Sequence, residues 1–355
     1  MFCAPATAAG QSATQNAAAG LRPETAEAIR GAVKEQMAAL GIPGLSVAVA
    51  DDFSLVFSEG FGMADLEHSV PATRDTVYRL ASISKPITAV AALQLVERGR
   101  LDLDAPVRTY VPGFPEKKWP VTVRHLLTHT AGIRHYGSPE EVGSTRHYSD
   151  ILEPLKIFES DPLLFEPGTK FSYTTYGYNL LGAAVEKAAG MPFMEYLKEN
   201  VFGPAKMETA RQDDAWEVVP HRARGYRMAA ERRIMNCALA DTSNKIPGGG
   251  MLATAEDLVR FAIAVERAAL LKPETVKVMF TPYELAGGRK SAYALGWTVQ
   301  ERAGRTWVSH GGGQQGTATL LLTMPERGIA IAVTANLEGA DVTKITDAIT
   351  NILLQ

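Results

Sequence analysis

The alternation of apolar and polar residues predicts that the folded part of the chain begins with one helix and two strands. Residues 22–40 carry apolar side chains at helical spacing. Residues 45–50 form a continuous apolar run, a short acidic turn follows, and residues 54–61 return the chain as a second strand. We therefore expect a hairpin with a helix packed beside it.

The last third of the chain again shows helical spacing of apolar residues and short strand-like apolar runs. Residues 255–269 have the spacing of an amphipathic helix, and Thr254 is suited to cap its N-terminus. Three strand-like runs and a closing helix follow, at residues 307–310, 318–324, 329–335 and 341–354.

The intervening stretch differs, because residues 101–233 are rich in Pro, Gly and short helical pieces. We therefore predict an α+β protein with one five-stranded antiparallel sheet, flanked by helices, and a mostly helical inserted domain. Residues 21–75 and 240–355 would form the α/β domain, and residues 76–239 the helical domain. Residues 1–20 would be a disordered tail or the remnant of a signal. A cleft between the two domains is the natural place for a site.

Composition and charge exclude several classes of binding partner and site. The 355 residues are 46% hydrophobic and 21% charged, with a net charge of -3, which is ordinary for a soluble globular protein. Nucleic acids and anionic membranes attract basic surfaces, so we expect neither as a partner, and no apolar run reaches bilayer length. Two cysteines, Cys3 and Cys237, leave no disulfide framework and no cysteine-based metal cluster.

The N-terminal 20 residues leave two readings open. They have the small side chains of a signal-peptide cleavage region but lack its basic start and long apolar stretch. A truncated export signal would place the protein in the periplasm or outside the cell. The alternative is a flexible tail without an address.

Ser82 and Lys85 carry the clearest chemistry. Residues 82–98 predict a buried helix, and residues three apart on a helix share a face. Pro86 is tolerated only in a first turn, which places Ser82 at the positive end of the helix dipole. A neutral lysine beside a serine can take its proton. A free lysine is neutral only about one time in 2,500 at pH 7, so Lys85 requires desolvation or a neighbouring positive charge.

Two later segments add candidates. Tyr173 follows a Pro-Gly turn and precedes a helix, and His310 ends a predicted strand that continues into a run of three glycines. Such a run lets backbone N–H groups approach a ligand closely. With the Ser-x-x-Lys pair, these segments resemble the serine β-lactamase and penicillin-binding-protein superfamily in order and spacing. Supporting similarities lie at residues 125–132, 249–257 and 295–297.

The similarity covers about residues 25–350 and is strongest to the class C β-lactamase-like branch. That branch also holds D-aminopeptidases, family VIII carboxylesterases and the mitochondrial β-lactamase-like protein of animals. The resemblance implies a β-lactamase or transpeptidase-like fold, with Ser82 as the acylated nucleophile and Lys85 assisting its deprotonation. Tyr173 would relay a proton to the leaving group, and Ser82 and Gly313 would supply the N–H groups of the oxyanion hole. Tyr173, made acidic by the lysine cation, is the alternative base.

Two substitutions depart from the family pattern. Thr175 replaces the usual asparagine, and its hydroxyl can still accept a hydrogen bond from Lys85 but reaches less far. His310, which we count among the catalytic candidates, stands with Gly311 and Gly312 where many relatives have Lys-Thr-Gly. A free histidine is only about a quarter protonated at pH 7, so a fixed cation for a substrate carboxylate is missing. We expect Thr175, Gly311 and Gly312 to bind substrate.

The sequence therefore predicts a serine hydrolase that cleaves ester or amide bonds of small substrates through an acyl-enzyme on Ser82, without cofactor or metal. A β-lactamase, a D-amino-acid peptidase or a penicillin-binding protein is the alternative among enzymes. A non-catalytic scaffold or ligand sensor with the same fold is the alternative from another class. His125 and His129 are four residues apart, but no acidic or cysteine partner stands at metal-ligand spacing. The oligomeric state stays open.

Overall fold

A computed structural model describes residues 20–302 and 304–355 of the chain. Cys3 and the expected tail or signal remnant, apart from Gly20, lie outside the described residues. The strands are β1 Gly44–Asp51, β2 Ser54–Asp65, β3 Val70–Pro71, β4 Tyr78–Arg79, β5 Arg211–Gln212, β6 Tyr226–Met228, β7 Ile234–Asn236, β8 Met251–Ala253, β9 Thr298–Arg302, β10 Arg305–Gln314, β11 Thr317–Met324 and β12 Ile329–Ala335. The helices are α1 Pro23–Leu40, α2 Ser84–Glu97, α3 Val123–Leu127, α4 Pro139–Val142, α5 Thr175–Ala189, α6 Phe193–Leu197, α7 Gly203–Ala205, α8 Ile246–Gly249, α9 Ala255–Glu266, α10 Pro273–Met279 and α11 Thr343–Leu353.

The large sheet is antiparallel throughout and has the order β3-β2-β1-β12-β11-β10-β9. Its two faces bury different layers, because successive side chains of a strand point in opposite directions. Val47 and Val49 of β1 pack in the layer that contains α1 and α11. Ala48 and Ala50 face the opposite layer, which contains α2, α5 and α9. The predicted α+β class and the predicted hairpin beside a helix are confirmed.

The predicted strand count was too low, since the sheet has seven strands and not five. β3 is only two residues long and includes a proline, which is tolerated at a sheet edge. β9 buries Val299 alone among its five residues, so its pattern lacks the apolar alternation that marks a strand. Both missed strands are edges, where burial leaves the weakest signal.

The chain between β3 and β8 contains helices α2 to α8 and the short strands β4 to β7. β4, β8 and β5 form one small sheet, and β6 pairs with β7. The boundaries at residues 75 and 240 stay a prediction. Among the helices of the described residues, none has both the length and the apolar character needed to cross a bilayer.

The burial of Glu266 at the end of α9 should make the stability of the fold depend on pH. Both of its carboxylate oxygens are buried without a hydrogen-bond partner among the described residues. Burial raises the pKa of Glu266 from 4.5 to about 7, and the nearby Thr323 hydroxyl offsets only part of the rise. The folded state thus binds a proton that the unfolded state releases between pH 4.5 and 7. Stability is full below that range and falls as the pH rises through it.

We expect Glu266→Gln to unfold like wild type at pH 4. At pH 8 the variant should be more stable, by on the order of 3 kcal/mol. Urea unfolding of both proteins at the two pH values measures the difference. An equal difference at pH 4 and pH 8 would show that Glu266 does not titrate in this range.

Candidate active site

Ser82 lies in a 3-10 turn, Ala81–Ile83, that leads directly into α2. Ala81 has a φ of 48°, in the left-handed region that non-glycine residues avoid. The turn is braced from the sheet, because the Thr319 hydroxyl of β11 donates to the Leu80 carbonyl at 3.0 Å. The predicted helix therefore starts two residues later than expected. Pro86 falls in its first turn, as predicted, and Ser82 keeps its place at the helix N-terminus.

Lys85 is fully buried beside the nucleophile. Its Nζ lies 3.1 Å from Ser82 Oγ, 3.2 Å from Thr175 Oγ1 and 2.6 Å from the Gly248 carbonyl oxygen. A neutral amine has two N–H donors and one lone pair. The Gly248 and Thr175 oxygens can accept the two donors, which leaves the lone pair for the Ser82 hydroxyl.

The electrostatic environment of Lys85 favours its neutral form. No carboxylate forms an ion pair with it in the part of the chain that the structure describes. Burial, with a further contribution from the charge of Lys245, holds the pKa of Lys85 well below its usual value. Lys85 is therefore equipped to accept a proton.

The Tyr173 phenol converges on the same pair. Lys85 Nζ lies 4.8 Å from the centroid of the Tyr173 ring. Burial raises the pKa of Tyr173, and the neighbouring Ser82 hydroxyl offsets part of that rise. A phenolate is thus disfavoured where a neutral amine is favoured, so the environment supports Lys85 as the base and Tyr173 as a proton relay.

The two tyrosines next to this segment are engaged elsewhere. Tyr176 donates its hydroxyl proton to Glu141 at 2.8 Å, and Tyr178 donates to the Leu127 carbonyl at 2.9 Å. Both residues are buried. Tyr173 therefore has no competitor for the relay position within its own segment.

His310 lies inside β10 and not at its end, since β10 continues through the glycine run to Gln314. Its Nδ1 donates to the Gly311 carbonyl at 2.7 Å, so its Nε2 is unprotonated and accepts from the Tyr293 hydroxyl at 2.9 Å. Burial and the charge of Lys85 lower the pKa of His310 to about 3. The ring is neutral at physiological pH, and its centroid lies 6.4 Å from that of Tyr173. Its catalytic role stays a prediction.

The glycine run approaches the nucleophile most closely at Gly312. A Cβ placed there would lie 2.3 Å from the Leu80 carbonyl oxygen and 3.1 Å from Ser82 N. A Cβ at Gly313 would meet nothing within 4 Å, so this position borders open space. β9 pairs with β10 only as far as Ser309, which leaves the following edge of β10 without a strand among the described residues. A substrate carbonyl can thus approach the backbone here.

Two histidines that the sequence analysis did not count among the site residues bind the backbone at the start of α5. His135 Nδ1 accepts from the Thr175 backbone N–H, and His129 Nδ1 accepts from that of Thr174, each at 3.2 Å. Burial first, then the charge of Lys85, lower the pKa of both imidazoles, that of His135 to about 4. His129 lies inside the segment at residues 125–132 and His135 follows shortly after it, which was the available signal.

The histidine pair considered for a metal is divided between two tasks. His125 Nδ1 accepts from the backbone N–H of Thr122, closing a reciprocal cap at the start of α3. His129 is buried among aromatic rings, with its centroid 4.2 Å from that of Tyr173. The first histidine thus braces a loop, and the second packs against the catalytic candidates.

Lys245 is the third missed residue. It is 2% exposed and ends a 3-10 turn, Thr242–Lys245, just before α8. Burial and the charge of Arg79 lower the pKa of Lys245 to about 8, and Asp213 opposes the fall. Its position shortly before the Gly248–Gly250 run was the one sign of it in the sequence.

Comparison with known sequences decides the family. The family model described as Beta-lactamase matches residues 29–354. The chain belongs to the Beta-lactamase family. This result confirms the superfamily inferred from the Ser82, Tyr173 and His310 segments.

Individual members of the Beta-lactamase family agree with this assignment. Serine beta-lactamase-like protein LACTB, mitochondrial, from Homo sapiens is 32% identical over 406 aligned residues, covering 84% of this chain and 74% of the relative. Esterase EstB from Burkholderia gladioli is 32% identical over 272 aligned residues, covering 66% of this chain and 68% of the relative. The structure of the octameric penicillin-binding protein homologue from Pyrococcus abyssi matches with a TM-score of 0.79 at 28% identity, covering 92% of this chain and 77% of that one. The fold class and the general assignment as a serine hydrolase of this family are confirmed.

Proposed function

We propose that this protein hydrolyses esters of small acyl groups through an acyl-enzyme on Ser82, with no cofactor. The observation that carries the proposal is the 3.1 Å approach of Lys85 Nζ to Ser82 Oγ in a site where Lys85 is fully buried and has no ion-pair partner among the described residues. Such an amine is held neutral and can act as a general base.

Acylation follows from this geometry. Lys85 accepts the Ser82 proton while Oγ forms a bond to the substrate carbonyl carbon, and the carbonyl electron pair moves to oxygen. The backbone N–H groups of Ser82 and Gly313 would stabilise that oxyanion. When the tetrahedral intermediate collapses, the bond to the alcohol oxygen breaks, and the proton from Lys85 reaches that oxygen through Tyr173.

Deacylation runs the same transfers with water. Water attacks the acyl carbon and gives up a proton to the Tyr173–Lys85 pair. The bond between the acyl carbon and Ser82 Oγ then breaks, and Oγ recovers its proton. The acid is released, and the site returns to its starting protonation state.

The neutral His310 supports an ester as substrate. Where many relatives present a lysine, this strand offers a buried imidazole that already uses both of its nitrogens. A substrate carboxylate therefore gains no charge pair at that point, and a neutral acyl group loses nothing there. The relative named Esterase EstB, 32% identical, is consistent with this choice.

A panel of substrates tests the proposal. Purified protein is assayed with chromogenic short-chain esters, D-amino-acid peptides and β-lactams, with Ser82→Ala as the control. We expect turnover of the neutral esters that depends on Ser82. Ester turnover that is equal in Ser82→Ala would refute it.

Cleavage of an amide bond, in a β-lactam or a D-amino-acid peptide, is the second candidate function. It is favoured by the Pyrococcus abyssi neighbour described as a penicillin-binding protein homologue. Incubation with a fluorescent penicillin followed by intact mass separates the cases. A stable adduct on Ser82 indicates a penicillin-binding protein, rapid turnover a β-lactamase, and no reaction the esterase. Full resistance to a serine-reactive phosphonate would instead support a non-catalytic scaffold or sensor.

A further inference from the structure

A second buried lysine stands beside the proposed catalytic pair without a role in the reaction described so far. Lys245 Nζ donates to the Val142 carbonyl at 2.9 Å and lies 5.4 Å from the centroid of the Tyr136 ring. No carboxylate in the described ranges forms an ion pair with it. One carbonyl and one aromatic face thus surround an ammonium group that has three N–H donors.

Each of the two lysines lies beside one of two neighbouring residues of α8. Lys85 Nζ donates to the carbonyl of Gly248. The Lys245 side chain runs past Gly249, where a Cβ would lie 3.8 Å from Lys245 Cδ. Two lysines that are buried beside the same short helix repel each other when both carry a proton.

The other charged groups around Lys245 do not neutralise it. Arg79 pairs with Asp213 at 2.8 Å and Arg222 pairs with the same carboxylate at 3.5 Å, so Asp213 is already engaged by two guanidinium groups. Tyr136 and His135 face the same space, and burial raises the pKa of the first to about 12 and lowers that of the second to about 4. Both are therefore neutral at physiological pH, and Lys245 is the charged neighbour that lowers the pKa of Lys85.

We propose that Lys245 is a positioning residue of this site: its buried positive charge repels a proton from Lys85 and so keeps that amine free to accept the Ser82 proton. The proposal rests on the proposed function for its catalytic consequence. It answers the requirement, set by the sequence, for desolvation or a neighbouring positive charge at Lys85.

The environments of the two lysines indicate that only one of the two amines carries a proton at pH 7. The pKa of Lys245 is about 8, so it is mostly protonated at pH 7. Lys85 has no carboxylate to oppose its burial, whereas Asp213 opposes the burial of Lys245. The proton therefore resides on Lys245.

Two substitutions at one position separate charge from shape. Lys245→Met removes the charge and keeps an unbranched apolar chain, and Lys245→Arg keeps the charge. We measure kcat/KM for a neutral short-chain ester between pH 5 and pH 9. The acid limb of this profile is the low-pH side, where kcat/KM falls because Lys85 becomes protonated. In Lys245→Met this limb should move to higher pH by about 1, so that kcat/KM on the limb is roughly tenfold lower than in wild type. The difference should disappear at higher pH. Lys245→Arg should retain the wild-type limb.

A direct titration makes the result independent of turnover. The NMR signal of labelled Lys85 Cε, assigned with Lys85→Met, should titrate at higher pH in Lys245→Met than in wild type and Lys245→Arg. If no ester is turned over, the proposed function fails, while the coupling of the lysines is still decided by this signal. Lys245→Gln serves for both measurements if the methionine variant does not fold.

Three results would overturn the proposal. The first is a Lys85 titration and an acid limb that are unchanged in Lys245→Met. The second is a shift of equal size in Lys245→Arg, which would assign the effect to packing. The third is an unchanged limb with selective loss on a hemisuccinate ester, which would make Lys245 a substrate-binding residue.

Discussion

Lys85→Met is expected to lower kcat/KM for ester hydrolysis by at least about 10³-fold, close to the loss in Ser82→Ala, because nucleophile and base act as one unit. The physical reason is the loss of the amine that takes the Ser82 proton at 3.1 Å. The substitution also leaves the Gly248 carbonyl without its donor, at a cost of about 1–3 kcal/mol in stability. Activity is therefore compared at a temperature where thermal unfolding shows every variant to be folded.

Lys85→Arg is the matched control. Arginine is a permanent cation that keeps N–H donors but cannot be deprotonated, so it cannot serve as a base. We expect it to be as inactive as Lys85→Met. Substantial activity in Lys85→Arg would mean that Lys85 contributes charge alone and that another group, with Tyr173 the first candidate, takes the proton.

Gly312→Ala is expected to be the most damaging conservative change in the glycine run. Its methyl group would stand 2.3 Å from the Leu80 carbonyl and 2.5 Å from the Thr319 hydroxyl. The carbonyl belongs to the backbone just before Ser82, so relief of the clash displaces the nucleophile. We expect a loss of about 1–3 kcal/mol in unfolding free energy and about 10²-fold in kcat/KM.

Gly313→Ala is the stability control for this prediction, since its methyl group meets nothing within 4 Å. Denaturant unfolding should place Gly313→Ala within about 0.5 kcal/mol of wild type and Gly312→Ala well below it. Equal stability of the two variants would show that the approach of β10 to the nucleophile turn is looser than described.

Much of the fold follows from local pattern. Helix α1 and strand β12 match the predicted ranges closely, because each buries one clear apolar face or run. β9 escaped prediction since an edge strand can bury a single side chain. β10 was predicted too short because glycines carry no hydrophobic signal, although their backbone pairs with β11 as far as Gln314.

The site shows the same division between local and distant information. Ser82 and Lys85 were readable because one helical turn fixes their distance. Tyr173 required the family resemblance, since 91 residues separate it from Ser82. The burial of Lys245 and of His310 was missed, because it depends on what other segments pack around them. Burial and the neighbouring charges set the protonation states in this site.

Intact-mass analysis after treatment with a serine-reactive phosphonate, followed by peptide mapping, tests the central claim most directly. The account predicts one adduct on Ser82, absent in Ser82→Ala and formed at least about 10²-fold more slowly in Lys85→Met. An adduct on another residue, or equally rapid labelling without Lys85, would contradict it.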